Sequence, residues 1–139
     1  MPAQHSAGAI IFRREGKRVF YLLLNYHPGY WGLAKGAIEK GETVTETAKR
    51  EIQEETGLTD IEFLDGFKVN EKYFFTDKGE KIFKTVTFLL AETKTEAVKI
   101  SWEHIGYVWL PFEEAEQRLT YPKEKEFMKQ ANEFILSQK

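Results

Sequence analysis

Residues 36–58 read GAIEKGETVTETAKREIQEETGL and contain three glutamates within five positions, at 51, 54 and 55. Residues 43–56 contain neither Gly nor Pro and are rich in good helix formers. Thr43 followed by Glu46 is the pattern of a capping box, and Gly57 is suited to end a helix. This acidic segment, residues 36–58, therefore predicts a helix over residues 43–56.

The three glutamates fall within an arc of roughly 100° when they are placed on a helix. Ala48 and Ile52 overlap that arc, so Glu51 and Glu55 are expected to point toward the protein body. Like charges four residues apart repel, and burying an unpaired carboxylate costs several kcal/mol. A divalent cation bound between them would remove both costs. The alternative, an ordinary solvated helix face, is the usual explanation of such a cluster in isolation.

The flanking sequence predicts further strands and helices around this helix. Strands are expected at 6–12 and 18–24, forming a hairpin, and at 61–69, 73–75, 82–91 and 107–110. Residues 25–41 are expected to form a long loop with short extended pieces. Helices are expected at 112–119 and 123–137, the second with an apolar stripe. This order favours an α+β fold, with a mixed sheet and helices on both faces.

The acidic segment also resembles the signature of the Nudix hydrolase family. That signature reads G-x5-E-x7-R-E-U-x-E-E-x-G-U, where U is aliphatic. Every defined position matches, at Gly36, Glu42, Arg50, Glu51, Ile52, Glu54, Glu55, Gly57 and Leu58. The resemblance implies an α/β/α sandwich with a mixed central sheet. It also implies hydrolysis of a nucleoside diphosphate linked to another group, with Mg²⁺ or Mn²⁺ as cofactor.

Carried over to this chain, the resemblance assigns metal-binding roles within the acidic segment. The implied ligands are the carboxylates of Glu51, Glu54 and Glu55 and the carbonyl of Gly36. Divalent ions held there would orient a water and lower its pKa for attack on phosphorus.

Other roles also follow from the resemblance. In the stretch SWEH at residues 101–104, Glu103 is implied to reach a metal or a catalytic water. An ion pair between Arg50 and Glu42 is implied to hold the segment together, so these two are expected to be structural. The predicted catalytic residues are Glu54, Glu55 and Glu103. The identity of the general base stays open between Glu54, Glu103 and no side chain.

Motifs outside the segment resemble the asymmetrical diadenosine tetraphosphate (Ap4A) hydrolases, the bis(5′-nucleosyl)-tetraphosphatases. They are SAGAIIFRR (6–14), FYLLLN (20–25), W-x-x-x-K-G (31–36), GFK (66–68), FKTVTFLLAE (83–92), SWEH and Y-x-W-L-x-x-E-E-A (107–115). The implied reaction converts Ap4A and water to ATP and AMP. Two positions depart from the family pattern, because Ala34 replaces a common proline and Tyr30 aligns with a family histidine.

This second resemblance also suggests residues that bind substrate. Tyr73 matches a tyrosine that stacks on adenine, and Tyr121 is a candidate for the other face of the base. Lys35, Lys81 and Lys84 are candidates to hold phosphate oxygens. Ordinary packing of the tyrosines and solvation of the lysines are the alternatives.

Composition limits the remaining possibilities. The chain has no cysteine, which excludes disulfides, thiolate catalysis and cysteine-based metal sites. Its net charge of −2 gives no broad basic face for duplex nucleic acid. With no signal peptide and no long apolar run, we expect one domain over residues 1–139, cytoplasmic, monomeric and without a membrane partner.

The expected partner is a small nucleotide. Other Nudix substrates stay open: nucleoside triphosphates, ADP-ribose or the 5′ end of triphosphorylated RNA. A regulatory module that binds a nucleotide without cleaving it is a further alternative, although such modules commonly lose the signature glutamates and this chain keeps them all.

Overall fold

The computed structural model describes residues 2–27 and 29–138. Within these ranges eight strands form one mixed sheet, and three helices pack against it. The strands are β1 (Ala3–Glu15), β2 (Arg18–Tyr26), β3 (Tyr30–Gly32), β4 (Ala34–Ala37), β5 (Glu62–Phe63), β6 (Val69–Asp77), β7 (Glu80–Glu92) and β8 (His104–Pro111). The helices are α1 (Val44–Thr56), α2 (Phe112–Arg118) and α3 (Pro122–Ser137).

Strand β1 is the centre of the sheet. One of its edges pairs antiparallel with β4 in its first half and with β2 in its second half. Its other edge pairs parallel with β7, which in turn pairs antiparallel with β6. Strand β8 pairs with the outer edge of β2. The short strand β4 therefore lies beside the first half of β1, on the edge opposite β7.

Helices cover both faces of the sheet. On one face, Ile52 of α1 packs in a cluster with Ile11 and Leu22. On the other face, Phe127 of α3 packs in a cluster with Phe88. Successive residues of the central strands are thus buried on opposite faces, as in sheets that are covered on both sides. Within the described ranges, no helix has the length and apolar composition needed to cross a membrane.

The predicted helix in the acidic segment is confirmed. Thr43 caps α1, its hydroxyl accepts a hydrogen bond from the backbone N–H of Glu46, and the Glu46 side chain accepts one from the backbone N–H of Thr43. Gly57 ends the helix in the left-handed region, with φ of 75°. The sequence alone therefore located both ends of this helix.

One predicted strand is wrong. The strand expected at residues 61–69 is reduced to the two residues of β5. Gly66 adopts a positive φ of 95°, which breaks the extended path, and Phe67 turns into the core against Phe134. The apolar residues of this stretch are buried by a turn and not by strand pairing.

Candidate active site

Strand β4 and helix α1 approach each other closely at Gly36. A Cβ atom added to this glycine would lie 2.0 Å from Cδ of Glu51, much closer than non-bonded atoms can approach. Only glycine lets the backbone of β4 come this near to the carboxylate. The structure thus brings together two residues that the sequence placed at one metal site.

The carboxylates of Glu51 and Glu55, called here the carboxylate pair, lie one helical turn apart on the inward face of α1. The side chain of Glu55 is 4% exposed and that of Glu51 is 13% exposed, so both point toward the protein body as the helix geometry predicted. Burial, together with the adjacent Glu55 carboxyl group, raises the pKa of Glu51 to about 7. Burial likewise raises the pKa of Glu55 to about 7.

Arg50 connects the start of the acidic segment to its end. The guanidinium donates to Glu42 through Nε (2.7 Å) and Nη2 (3.0 Å), and to Oε2 of Glu51 through Nη1 (2.6 Å). It also donates to the carbonyl of Ala37 (3.0 Å) and to Oε1 of Glu54 (3.2 Å). The hydrogen bonds from Arg50 lower the pKa of the Glu42 carboxyl to about 2. The structure therefore contains the ion pair that was expected to be structural.

The far side of Glu55 is lined by Tyr26 and His104. The Tyr26 hydroxyl donates to the carbonyl of Leu33 (2.5 Å) and lies 3.2 Å from Oε1 of Glu55. Nε2 of His104 lies 3.3 Å from the same carboxylate oxygen. Burial lowers the pKa of His104, while the neighbouring Glu103 opposes that shift. Glu103 directly precedes His104 and so lies near Glu55, and its negative charge contributes to the raised pKa of Glu55.

The carboxylate pair supplies the kind of oxygen ligands that a divalent cation prefers. Two largely buried carboxylates one helical turn apart are a hard oxygen donor set, and burial raises the pKa of both, so their ionised forms are unfavourable there without a compensating charge. In the described ranges, however, the acidic and histidine side chains form no group of three or more already arranged around one point. Arg50 holds Glu51 and Glu54, and the Glu54 side chain is 58% exposed.

A cavity of about 700 Å³ opens beside Lys35 of β4. It is lined by Tyr30, Lys35, Glu71, Tyr73, Tyr121, Pro122, Lys123, Glu124 and Glu126, and is called here the tyrosine cavity. Tyr73 and Tyr121 are 40% and 45% exposed, so their rings remain accessible. Two tyrosines that are far apart in sequence thus line one cavity.

Lys35 links the tyrosine cavity to the carboxylate pair. Neighbouring residues of a strand point to opposite faces, so Lys35 faces the α3 side while Gly36 faces α1. Nζ of Lys35 lies 3.6 Å from Oε2 of Glu124, a carboxylate that is almost fully buried. Burial raises the pKa of Glu124, and the positive charge of Lys35 opposes that shift.

The two lysines of β7 lie on opposite faces of the sheet. Lys84 is paired directly with Tyr73, so it shares the face of the tyrosine cavity. Burial, with a smaller effect from Lys35, lowers the pKa of Lys84. Lys81 faces the other way, and its ammonium lies 5.0 Å from the centre of the Phe74 ring. Lys84 therefore lies on the same face of the sheet as the tyrosine cavity, although it does not line it, and Lys81 lies on the opposite face.

Comparison with known proteins identifies the family. A family model for the NUDIX domain matches residues 2–131. The chain belongs to the Nudix hydrolase family. The predicted family and the predicted α+β sandwich are both confirmed.

Individual Nudix relatives match over nearly the whole chain. The asymmetrical bis(5′-nucleosyl)-tetraphosphatase of Mus musculus is 35% identical over 147 aligned positions, covering 97% of each chain. A binary complex of C. elegans Ap4A hydrolase matches with a TM-score of 0.83 and 26% identity, covering 97% of this chain and 99% of that one. The dihydroneopterin triphosphate pyrophosphohydrolase of E. coli shares the fold, with a TM-score of 0.71 and 20% identity over 94% and 97% of the two chains.

Several residues at the site were given no role from the sequence. Tyr26, Tyr30 and His104 join the Nudix segment to the rest of the site, and Glu124 contacts Lys35. His104 had a local signal, since it directly follows Glu103 in the SWEH stretch. Glu124 had none, because a glutamate in the first turn of an amphipathic helix is ordinarily exposed. Glu124 is buried because the start of α3 lies beside Gly32 and Lys35.

Proposed function

We propose that this chain hydrolyses dinucleoside polyphosphates, converting Ap4A and water to ATP and AMP. The observation that carries the proposal is the continuity of the site: Lys35 faces the tyrosine cavity, and the next residue, Gly36, contacts Glu51 of the carboxylate pair. A base in the cavity would therefore place its phosphate chain beside the carboxylates. The similarity to asymmetrical tetraphosphatases over 97% of both chains supports this choice of substrate.

The proposed cofactor is Mg²⁺ or Mn²⁺. The carboxylates of Glu51, Glu54, Glu55 and Glu103 and the carbonyl of Gly36 would hold it. Such ions neutralise phosphate oxygens and lower the pKa of a bound water. The close contact at Gly36 and the burial of the carboxylate pair support this ligand set.

The remaining residues bind substrate and hold the site in place. Tyr73 and Tyr121 stack on one base, and Lys35 and Lys84 attract phosphate oxygens as point charges. Lys81 has no part in this proposal, because its ammonium lies over Phe74 on the opposite face.

The proposed acceptor of the proton from the attacking water is Glu54, Glu103 or no side chain, and in the last case the proton passes to solvent. Both glutamates are exposed to solvent, and both belong to the proposed ligand set. Arg50 fixes the direction of Glu51 and Glu54 through hydrogen bonds. Glu42 in turn fixes Arg50, so neither of these two residues needs to contact the substrate.

Product analysis tests the proposal directly. The pure protein is incubated with Ap4A and Mg²⁺, and the nucleotides are separated by chromatography. Equal amounts of ATP and AMP are expected. Two molecules of ADP per Ap4A would contradict asymmetrical cleavage. No product from Ap4A, with turnover of nucleoside triphosphates, ADP-ribose or 5′-triphosphorylated RNA, would move the substrate to another Nudix class. A monomeric state and a cytoplasmic location stay predictions.

The carboxylate pair predicts an unusual pH dependence of stability in the absence of metal. Each pKa rises from an unfolded value of 4.5 to about 7, so the folded state binds more protons than the unfolded chain between these values. The pair's contribution to the free energy of unfolding is therefore greatest below pH 4.5 and is lost as the pH rises to about 7. Mg²⁺ should raise Tm more at pH 8 than at pH 5.5.

Thermal denaturation followed by circular dichroism, with EDTA or with Mg²⁺, measures this effect. The exposed Glu133→Gln variant is the control and should keep the pH dependence. An increase in Tm with Mg²⁺ that is the same at both pH values would contradict the assignment of the metal to the carboxylate pair.

A further inference from the structure

Trp102 is the most exposed large apolar side chain in the described part of the molecule, at 86%. An indole in water lacks the favourable free energy of burial. An exposed tryptophan beside a candidate active site therefore indicates a surface that a ligand can cover. Trp102 directly precedes Glu103, which was singled out as a ligand or catalytic residue. Ile105, three residues further on, is also half exposed.

The turn that presents Trp102 is held in place at both ends. The backbone N–H of His104 donates to the carbonyl of Ser101 (3.1 Å), and Oγ of Ser101 lies 3.1 Å from Nδ1 of His104. The same hydroxyl accepts from the backbone N–H of Glu103 (3.3 Å). The His104 side chain is only 1% exposed. Trp102 is thus attached to a turn anchored in the protein, next to the carboxylate pair.

This turn and the tyrosine cavity flank the carboxylate pair. Strand β8, which begins at His104, pairs beyond β2, whereas Tyr73 lies on β6 at the other side of the sheet. A row of aromatic rings joins the two places: His104 to Tyr26 at 4.4 Å, Tyr26 to Tyr30 at 4.9 Å, and Tyr30 to Tyr121 at 5.2 Å between ring centres. The two places are therefore only a few ring contacts apart.

We propose that Trp102 stacks on the second base of the dinucleoside polyphosphate, while the first base occupies the tyrosine cavity. The inference rests on the proposed function, since only a substrate with a nucleoside at each end needs two aromatic sites. The phosphate chain would then pass Glu103 and the carboxylate pair between them. Stacking on an aromatic ring tolerates any base, so the second site would select for the presence of a base and not for its identity.

The test compares a substrate with two bases to one with a single base. In Trp102→Ala, KM for Ap4A should rise roughly 10-fold, while KM for adenosine 5′-tetraphosphate should stay within about 2-fold of wild type. Trp102→Phe should recover most of the affinity for Ap4A. Tyr73→Ala should raise KM for both substrates, because both place a base in the tyrosine cavity.

Leu136→Ala is the matched control, because this leucine is 72% exposed on α3 and lies outside the site. It should change neither KM. If wild-type protein cleaves Ap4A and Trp102→Ala shows an unchanged KM, the second base site is wrong. Equal increases in KM for both substrates would also overturn it, because they would place Trp102 at the part that the two substrates share.

A binding measurement separates this inference from the proposed function. In a Glu55→Gln background that turns over slowly, Ap4A should quench tryptophan fluorescence far more than adenosine 5′-tetraphosphate does. The difference should disappear when Trp102→Ala is added. Quenching of this kind would support the second site even if wild-type protein failed to cleave Ap4A. Equal quenching by both nucleotides would overturn it.

Discussion

Glu55→Gln is expected to lower kcat for Ap4A hydrolysis about 10²- to 10⁴-fold while the protein stays folded. The amide keeps the size of the side chain but loses the negative charge and one oxygen ligand. Glu55 is the most buried carboxylate of the acidic segment and contacts Glu51, Tyr26 and His104. No neighbouring side chain can replace it at this position.

Stability should respond in the opposite direction. Burial raises the pKa of Glu55 to about 7, which means that the folded protein disfavours the ionised form in the absence of metal. A neutral glutamine avoids that cost, and its amide N–H can donate to the Tyr26 hydroxyl oxygen, whose own proton goes to the carbonyl of Leu33. At pH 8 without metal, Tm of Glu55→Gln should therefore equal or exceed that of the wild type. The buried carboxylate thus lowers the free energy of unfolding of the metal-free protein, while the proposed activity requires it.

Steady-state kinetics and thermal denaturation on the same samples measure both effects. Glu133→Gln makes the same chemical change on an exposed part of α3 and should alter neither kcat nor Tm. Activity of Glu55→Gln close to wild type would remove Glu55 from the metal site. A large fall in Tm would show that the ionised carboxylate is structural.

The acidic segment was predictable because its determinants are local. The cap at Thr43, the stop at Gly57 and the direction of Glu51 and Glu55 all follow from helix periodicity within one segment. The family signature then gave these residues a chemistry. No contact with a distant strand had to be known for either step.

The tyrosine cavity could not be derived from residue patterns alone. Tyr73 and Tyr121 are 48 positions apart in sequence. They share a cavity only because the side chain of Tyr73 projects from β6 on the face of the sheet that α3 covers. The resemblance to a family suggested them, but it marked Tyr30 only as a departure from the family pattern and gave no means of finding Glu124. The contacts of these two residues depend on how α3 packs over β3 and β4.

Two other predictions depended on local details that the sequence does not determine. They are the strand at residues 61–69, which is wrong, and the place of Lys81 beside the phosphate chain. An apolar run with β-branched residues is compatible with both a strand and a buried turn, and the positive φ of Gly66 decides between them. For Lys81, the face of the sheet depends on the register of the hairpin, which pairs Thr76 with Lys81. A shift of one residue would have turned Lys81 toward the cavity.

Arg50→Lys is expected to lower kcat about 10- to 100-fold and to lower Tm as well, although the charge is unchanged. A lysine ammonium has no planar fork, so it cannot donate at once to Glu42, Glu51, Glu54 and the carbonyl of Ala37 as Arg50 does. Glu51 would lose its fixed direction beside Gly36. The loop before α1 would lose the hydrogen bonds that join Glu42 and Ala37 to the helix.

Arg14→Lys is the matched control, because Arg14 makes a simple ion pair with Glu92 (3.1 Å) on the surface, away from the site. It should change neither kcat nor Tm appreciably, since exposed pairs contribute little. The comparison separates two roles of Arg50. If Arg50→Lys lowers kcat and Tm together, Arg50 acts by holding the carboxylates in place. A loss of kcat with Tm unchanged would instead mean that the guanidinium itself contacts the phosphate chain, and its role would be catalytic.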